Sequence, residues 1–125
     1  MDNQNKKPNL QELIEMFEKV SSLSGGCRGN GEDIMPEGHG EFGLEVTNPI
    51  PVHTIAGIPL YLNRLWTTDG IKITYERTGS THAPNIPSII DRYTIYGSGE
   101  EITKLYICPY NKKNSGKAPK GFVLK

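Results

Sequence analysis

The sequence predicts an α+β fold, in which one N-terminal amphipathic helix packs on a four- to five-stranded, mainly antiparallel sheet built from two hairpins. Three patterns predict this fold: a helical spacing of apolar residues near the N-terminus, an alternation of period two after Ile58, and the turn sequences Asp69-Gly70 and Ser98-Gly99. The 125 residues fit one domain that can bury a core without a disulfide framework. We therefore predict a flexible N-terminus at residues 1–8 and a single domain at residues 9–125.

The helix is predicted at residues 9–23. Asn9 and Glu12 match the capping-box pattern at its start, and Gly25-Gly26 ends it. The apolar residues between them recur at helical spacing and form one stripe: Leu10, Leu13, Ile14, Phe17 and Val20. This pattern is typical of a helix that docks on its own domain.

A loop is predicted at residues 24–51, because this segment is rich in glycine, contains three prolines and shows no periodicity. A loop of this length in a small domain is uncommon unless it is functional or flexible. The loop belongs to an acidic part of the chain, since eight acids and two basic residues lie between Glu12 and Glu45. From Ile102 onward there are six lysines and no acid. Either these two ends attract one another within the molecule, or each faces a different partner.

Antiparallel strands are predicted at residues 52–110, beginning with a hairpin that turns at Asp69-Gly70. The opposite pairs in this hairpin are predicted to be Trp66–Ile73, Arg64–Tyr75 and Leu62–Arg77. This register places Arg64 and Arg77 on an otherwise apolar face. The following segment, RTGSTHAPNIPS, is predicted to be a loop because it contains two prolines.

The second hairpin is predicted to turn at Ser98-Gly99. Its opposite pairs are predicted to be Ile95–Ile102, Tyr93–Lys104, Asp91–Tyr106 and Ile89–Cys108. Asp91 then lies on the apolar face of its own hairpin. An unpaired buried charge costs several kcal/mol. Arg64 and Arg77 therefore need a partner, and Asp91 is the natural candidate. The cluster is either a structural ion pair at the margin of the core or a pocket that binds a carboxylate or phosphate.

Metal binding is considered from the two cysteines and three histidines of the chain. Cys27, His39, His53 and Cys108 would make a chemically sound Cys2His2 set for zinc. Their spacing provides no local pair of ligands on one turn, so we predict no metal and no cofactor. The two cysteines are predicted to be reduced thiols.

Catalysis is the alternative function suggested by the segment RTGSTH. Arg77 could bind a phosphate and His82 could act as a general acid or base, as in a small metal-independent hydrolase or nuclease. The serine and threonines between them are also ordinary turn residues. We therefore keep an enzyme as the second hypothesis.

The basic C-terminal segment is predicted at residues 111–125. Its lysines alternate with aromatic residues, a pattern compatible with binding of single-stranded nucleic acid. A formal net charge of zero and a pI near 6.8 argue against this function. The apolar trio Phe122-Val123-Leu124 predicts instead that the chain returns to pack.

The sequence favours a small, non-catalytic binding protein that recognises another protein. One example is an inhibitor or immunity-type protein that neutralises a basic partner through Glu32, Asp33, Glu37 and Glu41 of the glycine-rich loop. The N-terminus has no apolar run typical of an export signal, and no stretch approaches the roughly 20 apolar residues that cross a bilayer. We therefore predict a cytoplasmic protein without a membrane partner.

Overall fold

The structure is a computed structural model that describes residues 33–125. The predicted flexible N-terminus at residues 1–8, the predicted helix at residues 9–23, Cys27 and Glu32 lie outside the described residues. In chain order the elements are β1 (Ile50–Pro51), α1 (Thr54–Leu62), β2 (Leu65–Thr67), β3 (Ile73–Ala83), β4 (Ile86–Gly97), β5 (Glu100–Cys108) and β6 (Phe122–Leu124).

The described residues form a mixed α+β fold that consists mostly of sheet. Four strands lie in the order β1-β5-β4-β3, and within this sheet only β1 runs parallel to its neighbour. β2 and β6 form a separate antiparallel ribbon. The predicted α+β class and the mainly antiparallel four-stranded sheet are confirmed.

The main core lies between one face of this sheet and α1. The sheet contributes five buried side chains, which are Ile50, Ile73, Ile95, Leu105 and Ile107. α1 covers them with Ile58, Tyr61 and Leu62, and the β2–β6 ribbon adds Leu65 and Phe122. A smaller cluster covers one end of the opposite face with Met35, Ala83, Ile86, Ile90 and Cys108.

Residues 54–62 form a helix, so the strand predicted from Ile58 onward is wrong as far as Leu62, and only its end is a strand, at Leu65–Thr67. Nearly every residue here is apolar, and an apolar run of this kind fits both a strand and a helix. The buried residues Gly57, Ile58, Tyr61 and Leu62 have the spacing of one helical face. Pro59 lies inside the helix and disguises it further in the sequence.

The first predicted hairpin is shifted by one residue. Trp66 pairs with Lys72 instead of Ile73, and the N–H of Thr67 donates to the carbonyl of Ile71. The turn therefore contains three residues rather than two, with Gly70 in the left-handed region at φ 89°. Arg64 is consequently not opposite Tyr75, because the chain before β2 is helical.

The predicted loop RTGSTHAPNIPS is also wrong, because β3 continues to Ala83 and β4 begins at Ile86. The two strands pair directly, with Ala83 opposite Ile86 and Ser80 opposite Asp91. Pro87 does not disturb the sheet because it falls at a register shift in the β3–β4 pairing and before the first β4–β5 pair.

The second hairpin turns at Ser98-Gly99, as predicted, with Gly97 opposite Glu100. A register shift follows immediately and moves the remaining pairs by one residue. The observed pairs are Ile95–Thr103, Tyr93–Leu105 and Asp91–Ile107. Asp91 and Tyr93 nevertheless lie on the face that carries the main core, because Leu105 and Ile107 do.

Cys108 is disulfide-bonded and fully buried at the end of β5. The predicted reduced thiol is therefore wrong for Cys108, because two cysteines far apart in the sequence do not reveal whether the fold brings them together. No helix among residues 33–125 is long and apolar enough to span a bilayer.

Candidate functional site

α1 exposes an apolar face to solvent. Its sequence, TIAGIPLYL, contains no charged residue. The side of the helix that faces away from the core exposes Ile55 to 49% and Leu60 to 65%. An amphipathic surface helix normally presents polar side chains on this side, so this exposed apolar face is a candidate contact surface.

The chain enters α1 through a strained corner. Thr54 has a φ of 63°, which is unfavourable for a β-branched residue and costs about 1–3 kcal/mol. Three hydrogen bonds hold this corner: the His53 N–H to Asn114 Oδ1 at 2.7 Å, the His53 Nδ1–H to the Asn111 carbonyl at 2.8 Å, and Asn114 Nδ2 to the Gly57 carbonyl at 2.9 Å. The sequence after β5 therefore fixes the start of the helix.

A cavity of about 340 Å³ lies between α1 and residues 112–114. Ala56 and Leu60 line it from the helix, and Lys112 and Lys113 line it from the C-terminal segment. Lys113 forms an ion pair with Asp33 at 3.2 Å, whereas Lys112 makes no ion pair with any residue from 33 to 125. We call the surface formed by Ile55, Ala56, Leu60, Lys112 and Lys113 the α1 surface. It can accept an apolar group beside a negative charge.

The lysine segment, residues 111–120, is fixed along its length and is not a free tail. The N–H of Asn111 donates to the Val52 carbonyl and that of Ser115 to the Pro51 carbonyl. Tyr61 donates its hydroxyl to the Lys117 carbonyl at 2.6 Å. Asn111, Ser115 and Pro119 are buried, while all four lysines are exposed. The segment thus holds its ammonium groups on a rigid support.

The acidic loop, residues 33–48, is also ordered by its own hydrogen bonds. Thr47 Oγ1 donates to the His39 carbonyl at 2.7 Å, and Asn48 Nδ2 donates to the Gly40 carbonyl at 2.9 Å. Asn85, in the β3–β4 turn, donates to the carbonyls of Glu37 and Thr47. Glu37, Glu41 and Glu45 are exposed and make no ion pair within residues 33–125.

Asp33 lies apart from these glutamates because it binds the lysine segment. Its carboxylate accepts the Gly116 N–H at 2.8 Å and pairs with Lys113. The pKa of Asp33 is lowered first by the Gly116 hydrogen bond and then by Lys113. At this point the acidic and basic ends attract one another within the molecule.

Of the three charges predicted to converge, the structure brings two together. Arg77 Nη2 lies 3.0 Å from Asp91 Oδ1, and their side chains are 53% and 16% exposed. Arg64 lies elsewhere, where its Nε donates to the Lys125 carbonyl at 3.2 Å. The geometry is that of an ion pair at the margin of the core, in which Arg77 is already engaged.

The residues of the enzyme hypothesis are not assembled. His82 lies five residues beyond Arg77 on β3, about 16 Å away at a rise of about 3.3 Å per residue. Of the weak metal candidates, His39 and His53 are exposed and Cys108 is in a disulfide. Within residues 33–125 no group of three or more His, Cys, Asp or Glu side chains could hold a metal ion.

Comparisons with family models, with curated proteins and with solved structures find no match to this chain.

Sequence reasoning missed the α1 surface, because it places antiparallel strands across residues 52–110, with the alternation beginning at Ile58. One signal could have found it: the ten residues from His53 to Leu62 contain no acid, lysine or arginine in a chain that is 22% charged. An uncharged run of this length beside two prolines indicates either burial or a contact surface.

Proposed function

We propose that the protein is a small, non-catalytic binding module that recognises another protein through the α1 surface. The observation that carries this proposal is the apolar outer face of α1, with Leu60 65% exposed beside a cavity lined by two lysines. A segment of the partner that combines apolar and acidic side chains fits this surface. The expected cytoplasmic location is part of the same proposal.

The chemistry of the surface sets the expected contacts. Covering Leu60 and Ile55 with apolar groups gains about 1–2 kcal/mol for each side chain, given the area that is still exposed. A carboxylate placed next to these residues would reach Lys112, which makes no ion pair within the described part of the chain. The partner would thus be anchored by apolar contacts and oriented by charge.

The rigidity of the site supports the proposal. α1 and the lysine segment are joined by the Tyr61–Lys117 and Asn114–Gly57 hydrogen bonds. A surface that is already ordered loses little conformational entropy on binding. The strain at Thr54 is also consistent with a binding site, because such strain is concentrated at functional positions.

The test is selection of a random peptide library displayed on phage with the whole protein as bait. We expect the enriched peptides to combine Leu, Ile or Phe with Asp or Glu. Leu60→Asp should weaken the binding of a selected peptide by roughly five- to thirtyfold, the equivalent of about 1–2 kcal/mol. Lys112→Glu should also weaken the binding of the peptide, and this effect should be larger at low salt than at high salt.

Ile89→Asp is the matched control, because Ile89 is 60% exposed on β4 and lies outside the α1 surface. It should leave the affinity unchanged. If selected peptides bind Leu60→Asp and the parent protein equally well, while both proteins unfold at the same urea concentration, the α1 surface is not the contact surface.

A second candidate is capture of a basic partner by the acidic loop, as the sequence predicts. The observation in its favour is that Glu37, Glu41 and Glu45 are exposed on an ordered loop without ion pairs inside residues 33–125. The same library distinguishes the two candidates, because this one predicts enrichment of Lys and Arg. Glu37→Lys combined with Glu41→Lys would then abolish binding, and Leu60→Asp would not.

A further inference from the structure

A second cavity, of about 440 Å³, lies between the acidic loop and the lysine segment. This volume is within the range of about 300–1,000 Å³ that is usual for small-molecule sites. Glu41 lines one wall, and Lys117 and Lys120 line the other. Phe42, Ile34 and Ala118 supply apolar side chains to the lining.

Charges of both signs line this cavity and do not meet. Neither Glu41 nor Lys117 nor Lys120 takes part in any ion pair within the described residues. The Lys117 ammonium lies 5.6 Å from the centre of the Phe42 ring, which is within the range of a cation–π contact. Glu45, in contrast, uses its carboxylate to accept the Glu41 N–H at 2.9 Å.

Both walls are held in place by the backbone. The Gly43 N–H donates to the Asn48 carbonyl at 2.8 Å, which closes the loop immediately after Phe42. The Lys117 N–H donates to Ser115 Oγ at 3.1 Å, and the Lys117 carbonyl accepts the Tyr61 hydroxyl. These bonds fix the main chain from which Glu41 and Lys117 extend into the cavity.

We propose that this cavity binds a small zwitterion with an apolar side chain, that is, a free amino acid or a short peptide with free termini. The ammonium pairs with Glu41, the carboxylate pairs with Lys117 and Lys120, and the apolar side chain lies against Phe42 and Ile34. Charge-assisted hydrogen bonds at both ends give the site its selectivity. The site is separate from the α1 surface and does not depend on the proposed protein partner.

The test uses L-phenylalanine and the dipeptide glycyl-L-phenylalanine as probes, titrated into the whole protein and followed by NMR chemical shifts. Each probe is compared with its N-acetyl derivative, which lacks the ammonium, and with its amide, which lacks the carboxylate. We expect a saturable shift at residues of the cavity for one of the two zwitterions. Each derivative should bind about tenfold more weakly or worse, since a hydrogen bond to a charged group contributes about 1.5–3 kcal/mol.

Two variants assign the ends of the ligand. Glu41→Gln should lower the affinity for the zwitterion by about tenfold and leave the affinity for the N-acetyl derivative unchanged. Lys117→Gln combined with Lys120→Gln should lower the affinity for the zwitterion and for the N-acetyl derivative. The affinity for the amide should stay unchanged. Glu37→Gln and Lys104→Gln are the matched controls, since both residues are exposed and do not line the cavity.

The two probes distinguish the source of the ligand, because the tighter one shows whether the spacing suits an amino acid or a dipeptide. The proposal is overturned if neither probe gives a saturable shift at these residues. It is equally overturned if the N-acetyl and amide forms bind as well as the zwitterion, or if Glu41→Gln has no effect in a protein whose urea unfolding is unchanged.

Discussion

The hydroxyl of Tyr61 donates a hydrogen bond of 2.6 Å to the main-chain carbonyl of Lys117. Tyr61 is buried in the core face of α1, and Lys117 lies in the middle of the lysine segment. The bond therefore joins the helix that carries the α1 surface to the segment that forms one wall of each cavity. Both proposed sites depend on this junction.

The first prediction concerns this bond directly. Tyr61→Phe keeps the ring in the core but leaves the Lys117 carbonyl without its donor. We expect a loss of about 1–3 kcal/mol in the free energy of unfolding, measured by urea denaturation. Tyr75→Phe is the control, because the Tyr75 hydroxyl bonds the exposed side chain of Asn63 at 3.0 Å. Equal losses in the two variants would contradict a special role for the buried bond.

The second prediction concerns alkaline pH. Burial raises the pKa of Tyr61, and it also raises the pKa of Tyr93 and Tyr110. Above pH about 10 the unfolded chain loses these protons while the folded protein keeps them. The free energy of unfolding should therefore be intact below this pH and fall as the pH rises through it. Urea midpoints measured at increasing pH should fall less steeply for Tyr61→Phe, and identical slopes would contradict the prediction.

The third prediction concerns Gly43, which lets the acidic loop approach the core. It has a φ of 75°, and an added Cβ would lie 2.8 Å from Cγ1 of the buried Ile50. Gly121 has a φ of 92° but has open space around an added Cβ. Replacement by alanine costs about 1–2 kcal/mol at either position for the left-handed backbone. Overpacking should add about 1–3 kcal/mol at Gly43 alone, which differential scanning calorimetry of the two variants would detect.

The sequence predicted best where local turn chemistry and alternation agreed. The β4–β5 hairpin follows from Ser98-Gly99, and its remaining error is the single extra residue of a bulge that no local pattern marks. The sequence also predicts the contact between Arg77 and Asp91. It places the two residues in separate hairpins, however, and does not predict that their strands pair with each other. The structure joins the two residues because β3 and β4 are neighbours.

The errors have a common physical cause, which is that tertiary structure decided features that local sequence patterns do not encode. Pro84 and Pro87 suggested a loop, but one proline lies in the tight β3–β4 turn and the other at a register shift, so neither removes a bond from the ladder. In α1 the choice between helix and strand depended on which residues are buried, and burial is decided by tertiary packing. The two cavities depend on the path of residues 111–120, which contain no periodic signal.

The fourth prediction concerns the strained start of α1. Thr54→Gly should relieve the unfavourable φ of 63°, and the gain should offset or exceed the entropic cost of glycine. We expect a change between zero and about 1 kcal/mol of stabilisation. Ala56→Gly, at an exposed position of the same helix, should instead destabilise by about 0.5–1 kcal/mol. Thermal unfolding of the two variants tests the difference, and similar losses would show that the corner stores no strain.

The fifth prediction separates the two interpretations of Arg77 and Asp91. If the contact is a structural ion pair, a double-mutant cycle with Arg77→Ala and Asp91→Ala should give a coupling energy of about 0.5–1 kcal/mol, because Asp91 is only 16% exposed. The Lys104–Glu101 pair, at 2.9 Å but with both side chains exposed, provides the comparison and should give a smaller coupling energy.

The single variants of this cycle should be unequal. Arg77→Ala leaves a largely buried carboxylate without its cation, whereas Asp91→Ala leaves an arginine that can reach water, so the first should cost more. Added phosphate should not change the stability of the parent protein if the Arg77 guanidinium stays paired with the Asp91 carboxylate. A concentration-dependent gain in stability on adding phosphate, lost in Arg77→Ala, would instead show that the arginine exchanges its carboxylate partner for an external anion.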